Sequence, residues 1–243
     1  MDVVVVASTY LDALVSRDAD SALLAPSVRR TNNGVLAVEG ADAIREIIRH
    51  EPLTDMGGRR WVVDGEHAIA FYDLEATVGA EIWPAYVAEH FVVRDGLIQE
   101  LDIVFVGDPA KRSRPERPVR YPDGNDARDV VLGIAQAYVA ALQSHDASEV
   151  PLAERAYRIE NGVYMGSTGA EIRAALEDGG MSIISRIEDL HWYAGAGSAA
   201  AYYTLFVDAG DAGTVVCKIG ERFRVYEGEL VEIEVVYSTE IVA

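Results

Sequence analysis

Two glutamates stand where a charge is costly. The segment Val87, Glu89, Phe91, Val93 and the segment Ile219, Glu221, Phe223, Val225 each alternate along an apolar stretch, so each set shares one face of a strand. Each row therefore carries one carboxyl group among apolar side chains, at the same place in two parts of the chain. Burial disfavours the charged form of a carboxyl and raises its pKa. A neutral carboxylic acid in an apolar site donates a hydrogen bond or moves a proton. Two other readings stay open: an ion pair with an arginine such as Arg30 or Arg158, or a side chain reaching solvent at the sheet edge.

A second acidic row follows in the next strand. Glu100 and Asp102 are expected to share a face with Ile98 and Val104, and Glu232 and Glu234 with Leu230 and Val236. An antiparallel sheet commonly leaves one face wet, so this row is placed on the outer, partly solvated face. The histidines, His50, His67, His90, His145 and His191, show no metal-ligand spacing, and no nucleophile elbow or phosphate loop is present. No metal and no cofactor are expected.

The two glutamate rows belong to a duplication. Tyr10, Asp18 and the run Asn33-Gly34-Val35 recur 128 residues on as Tyr138, Asp146 and Asn161-Gly162-Val163. Glu89, Phe91 and Gly96 recur as Glu221, Phe223 and Gly228, the offset having drifted to 132 through changes in loop length. The chain of 243 residues thus divides into two copies of about 110 residues, an ordinary domain size. The expected boundaries are 1–107 and 126–243, with a linker at 108–125 that holds four prolines and five basic residues between Lys111 and Arg120.

Each copy reads as helices followed by strands. In the first, helices are expected over Val3–Arg17, Asp18–Ala25 and Asp42–His50, with a hairpin around Asn33-Gly34. A polar, glycine-containing loop should then lead to strands at 60–63, 68–78, 86–94 and 97–106. The second copy repeats the order. That is an α+β layout with a long, mostly antiparallel meander.

Half of the residues are hydrophobic, enough for two cores, and the net charge of −19 argues against a nucleic-acid partner. The single cysteine, Cys217, excludes an internal disulfide. The N-terminal apolar run is short and lacks basic residues, so neither a signal peptide nor a membrane span is expected, and the expected location is cytoplasmic.

This order of elements resembles the NTF2-like superfamily of cone-shaped α+β domains, which includes ketosteroid isomerases, SnoaL-type cyclases, scytalone dehydratase and limonene epoxide hydrolase. The nearest local likeness is to ketosteroid isomerase. Tyr138 and Tyr10, in the first helix of each copy, take the place of that family's tyrosine oxyanion donor. Glu221 (in IGERF) and Glu89 (in VAEHF) take the place of its protonated carboxylic acid. At the place of the catalytic aspartate stand Asn161 and Asn33, which cannot accept a proton at neutral pH. Glu160 precedes Asn161, but alternation should turn it the other way, and copy one has Asn32 there.

The resemblance implies two tandem cones, each with about three N-terminal helices on a curved, mostly antiparallel sheet. One cone mouth would be lined by Tyr138, Asn161, Glu221, Tyr202 and Trp192, the other by Tyr10, Asn33, Glu89, Tyr72 and Trp61. The tryptophans and tyrosines could instead be core side chains with satisfied polar tips. It further implies a cofactor-independent isomerase, dehydratase, cyclase or lyase acting on a small, largely apolar carbonyl or hydroxyl compound. The alternative is a non-catalytic module that binds a hydrophobic ligand or mediates assembly. The two copies are expected to pair within one chain, as single domains of this type pair through their sheets, with a further homodimer open.

Overall fold

The computed structural model describes residues 1–51, 53–78, 81–107, 121–177, 180–210 and 213–242. The chain separates into two compact units, 1–114 and 115–243. The basic run from Lys111 to Arg120 lies outside the described residues.

Domain one runs α1 (Val3–Ser16), β1 (Leu24–Asn32), β2 (Val35–Glu39), α2 (Ala41–His50), β3 (Leu53–Asp64), β4 (His67–Val78), β5 (Glu81–Arg94) and β6 (Leu97–Gly107). Domain two repeats it as α3 (Arg128–Ser144), β7 (Leu152–Glu160), β8 (Val163–Gly166), α4 (Gly169–Glu177), β9 (Ile184–Ala194), β10 (Ser198–Asp208), β11 (Thr214–Tyr226) and β12 (Glu229–Val242). The strand orders are β2-β1-β6-β5-β4-β3 and β8-β7-β12-β11-β10-β9. Each six-stranded sheet holds one parallel pair, β1 with β6 and β7 with β12; the others are antiparallel.

The first helix of each domain lies on the inner face of its sheet, because Tyr10, Leu11 and Leu14 in α1 and Tyr138, Val139 and Leu142 in α3 recur at helical spacing and are buried. Asp2 caps α1 by accepting from the Val4 amide at 2.8 Å. Phe91 and Phe223, in the glutamate rows, meet the helix tyrosines with ring centroids 5.8 Å and 5.5 Å apart.

Several expected elements are corrected. The region 18–25 holds only a 3-10 turn, Ala19–Ser21, and then enters β1 two residues before Pro26. The expected loop before residue 60 is the first half of β3; its polar residues occupy a partly exposed edge strand, where burial does not enforce alternation. The second acidic row is broken by a bulge: Val93 faces Ile98 but Val92 faces Glu100, so Gln99 is the extra residue. Ile98 therefore joins the inner core with Leu101 and Ile103. Val231 does the same in β12, sending Leu230 inward. Glu232 and Glu234 are also not partly solvated. They are 2% and 5% exposed, held by Arg222, with Tyr157 donating to Glu232 at 2.6 Å.

Of the expected linker, Tyr121 to Asn125 is held against domain two. Arg224 donates to the Tyr121 carbonyl at 2.7 Å, and Gly124 lies so close to Gly197 that a Cβ on either would meet backbone atoms under 3 Å away.

Candidate functional site

In domain two, β7 is the strand that aims polar groups inward. Arg158 and Glu160 are two residues apart and share a face, and both line a cavity of about 290 Å³ between the end of α3 and the sheet. The remaining wall is mostly apolar, with Leu142, Met181, Leu205, Cys217 and Ile219 among its members, and carries Tyr203 and Tyr237 as further polar groups. Arg158 is 7% exposed. Its Nε lies 2.7 Å from Glu160 Oε1, and its Nη1 donates to the Tyr138 hydroxyl.

Glu221 sits behind this wall, fully buried in β11. The Tyr203 hydroxyl donates to its Oε2 at 2.6 Å, and its Oε1 is buried without a partner. Burial pushes the Glu221 carboxyl up to about 7, against the opposing pull of Arg158 and the Tyr203 hydrogen bond, with the Glu160 charge adding to the rise. Burial likewise raises the Tyr138 and Tyr203 hydroxyls well above the usual phenol range.

Domain one builds the same cluster with one change. Tyr72 in β4 donates to Glu89 Oε2 at 2.6 Å, and burial pushes Glu89 up to about 7. Arg30 takes the place of Arg158 and is charge-coupled to Tyr10, whose hydroxyl falls short of a well-formed hydrogen bond. The position of Glu160 is Asn32, whose Oδ1 accepts from Arg30 Nε at 3.2 Å.

Of the residues singled out from sequence, Glu89, Glu221 and Tyr72 come together as buried tyrosine–glutamate pairs. Tyr10 and Tyr138 stand against the arginines. The others are placed differently. Tyr202 is not the partner of Glu221; Tyr203 is. Alternation turns Tyr202 to the opposite face, where its ring meets Tyr193 edge-on. The signal was present: Ala70-x-Tyr72-x-Leu74 matches Ala201-x-Tyr203-x-Leu205. Trp61 and Trp192 pack on Phe91 and Phe223, at 6.2 Å and 6.0 Å, as partly buried residues against the two cores.

Asn33 and Asn161 sit in left-handed conformation at the hairpin turns, φ 50° and 44°. Each amide side chain pairs with a backbone across the sheet. Asn161 Oδ1 accepts from the Tyr237 amide at 2.9 Å and its Nδ2 donates to the Tyr237 carbonyl at 3.0 Å; Asn33 treats Phe105 likewise. Asparagine is suited to this place because it tolerates positive φ and offers both a donor and an acceptor. These asparagines are thus turn clamps, and the inward-facing carboxylate of domain two is Glu160, the residue that alternation was expected to turn away. Asn161→Ala should lower the stability of domain two by about 2–3 kcal/mol through two lost hydrogen bonds and a strained φ, while leaving cavity ligands bound as before. Denaturant midpoints and a ligand titration of the same variant check both halves of that statement.

Among the described residues, no group of three or more His, Cys, Asp or Glu side chains is placed to hold a metal ion. No helix among them is long and apolar enough to cross a membrane.

Helices on the inner face of a sheet in this strand order, twice in one chain, define a tandem α+β protein, the fold class that the NTF2-like resemblance implied. More particularly, the chain belongs to the family described as Domain of unknown function (DUF8021), whose model matches residues 2–105 and again 124–237. No curated protein matches the chain. Similar solved structures include an LEH-like epoxide hydrolase from M. tuberculosis, 20% identical with TM-score 0.40, covering 43% of this chain and 82% of its own. Others are NTF2-like proteins from Cytophaga hutchinsonii (12% identical, TM-score 0.38, 44% and 91% covered) and Burkholderia xenovorans (13%, 0.38, 43% and 88%). Each covers about half of this chain, as a single domain does against a duplicated one.

Proposed function

We propose that domain two is a cofactor-independent acid–base site for a small, largely apolar molecule carrying a carbonyl or hydroxyl group. The observation that carries this reading is the convergence of Glu160, Arg158 and Tyr203 on one mainly apolar cavity, with the neutral-prone Glu221 hydrogen-bonded behind Tyr203.

The chemistry follows from who holds which proton. With Glu221 ionised, the Tyr203 proton is committed to Glu221 and only the phenol oxygen faces outward. With Glu221 protonated, its own O–H donates to Tyr203 Oη, and the phenol proton becomes available to a ligand oxygen in the cavity. A carbonyl bound there gains a hydrogen-bond donor for the negative charge that builds on oxygen when a neighbouring C–H proton is removed. Glu160 is the base placed to take that proton, and Arg158 fixes its orientation. Returning the proton to a different carbon gives isomerisation; expelling a β-hydroxyl gives dehydration. The oxyanion role expected of Tyr138 passes to Tyr203, because Tyr203 lines the cavity and Tyr138 does not.

A panel of enones and β-hydroxyketones tests this. Turnover of any member should fall by about 10²-fold in Glu160→Gln and be reduced in Tyr203→Phe, with binding kept. Binding without turnover across the panel, or turnover that survives Glu160→Gln, would favour the second reading of a ligand-binding module. The Arg158–Glu160 ion pair is the observation that favours that reading, since such pairs also occur for structure alone.

A further inference from the structure

The replacement of Glu160 by Asn32 changes the charge of the domain-one cluster. In domain two, Arg158 is neutralised by a carboxylate at 2.7 Å. In domain one, the side chains nearest the Arg30 guanidinium are the neutral Asn32, which accepts from its Nε at 3.2 Å, and the Tyr10 hydroxyl, and Arg30 makes no ion pair among the described residues. Its Nη1 is shielded from solvent and makes no well-formed hydrogen bond. The acidic groups whose charge acts on it are Glu89 and Glu51, neither of which forms an ion pair with it. A buried guanidinium without an anion is costly, and guanidinium is built to grip carboxylates with two parallel N–H donors. Arg30 is partly exposed as a residue, whereas Arg158 is 7% exposed.

We propose that domain one binds a small carboxylate-bearing molecule, with Arg30 as the anchor for its anionic group and Asn32 as a second polar contact. The ligand carboxylate would occupy the role that Glu160 plays toward Arg158. The two copies then differ in the molecules they take: an organic anion in domain one, a neutral compound in domain two. The groups facing the site are Tyr10 on α1, Tyr72 on β4, Glu89 on β5 and Glu51 after α2. The neutral form of Glu89 suits an anionic neighbour, so affinity should weaken as pH rises past about 7, where Glu89 ionises.

The test is an NMR titration of the full chain with acetate and benzoate as probes and benzamide as the uncharged control. The expected result is carboxylate binding that shifts amides of domain one, weakened at least about tenfold for benzamide and in the variant Asn32→Glu. That variant installs the arrangement domain two already tolerates, so it should fold, and Glu at 32 would fill the place of the ligand. Equal binding of benzamide, affinity unchanged in Asn32→Glu, or no binding of either carboxylate would overturn the proposal. The readout is binding in domain one, so the outcome is separate from the acid–base reading of domain two.

Discussion

Arg158→Met should destabilise domain two by about 3–5 kcal/mol, the range for removing one partner of a buried ion pair. Methionine keeps much of the aliphatic stem, so the loss is polar. Glu160, whose side chain is 15% exposed, would keep its charge beside an apolar wall with no cation at 2.7 Å. Tyr138, fully buried, would lose the donor to its hydroxyl. Adding Glu160→Gln should restore a large part of the loss, because the amide removes the stranded charge. Denaturant unfolding of the two single variants and the double variant measures this as a cycle. A single Arg158→Met change costing under about 1 kcal/mol would place the pair in the class of surface bridges, contrary to its burial.

The second large effect is a fall in stability between pH 4.5 and 7. Glu89 and Glu221 are each pushed from the ordinary 4.5 to about 7, chiefly by desolvation. Over that window the native state binds more protons than the unfolded chain, so unfolding free energy declines as pH rises. The stability linked to each group is complete below about pH 4.5 and lost by the time pH has passed about 7. The expected size is about 3 kcal/mol for each domain, from roughly 1.4 kcal/mol for each tenfold change in proton affinity. Glu221→Gln should remove the slope from domain two alone and make that domain more stable than the parent at pH 8. Stability that instead rises from pH 5 to 8 in domain two would mean an ionised, well-solvated or paired Glu221.

Much of this arrangement was legible in the sequence. The constant spacing of Tyr10 and Tyr138, the Asn-Gly turns and the glutamates inside apolar rows were enough for two α+β domains and for the buried carboxyls. Alternation works where both neighbours of a residue are committed, as in β5 and β11. It failed at three kinds of place, each for a local reason. Adjacent tyrosines at 202 and 203 left a choice of face that alternation alone does not resolve, although the match of Ala201-x-Tyr203-x-Leu205 to Ala70-x-Tyr72-x-Leu74 does. Bulges at Gln99 and Val231 shift the alternation by one residue, and nothing in composition marks them. At the Asn161 turn, the left-handed backbone swings the amide onto the neighbouring strand, leaving Glu160 as the inward residue. The inward arginines, Arg30 and Arg158, were visible only as possible partners, since strand alternation alone does not say how far a long side chain reaches across a core.

The central claim is that Glu221 is a carboxyl held near neutrality of charge behind Tyr203. Carbon-detected NMR titration of the Glu221 carboxyl, with Glu221→Gln as the assignment control, tests it most directly. The account predicts a midpoint near 7. A midpoint at or below 4.5 would contradict it and remove the proton donor from the proposed site.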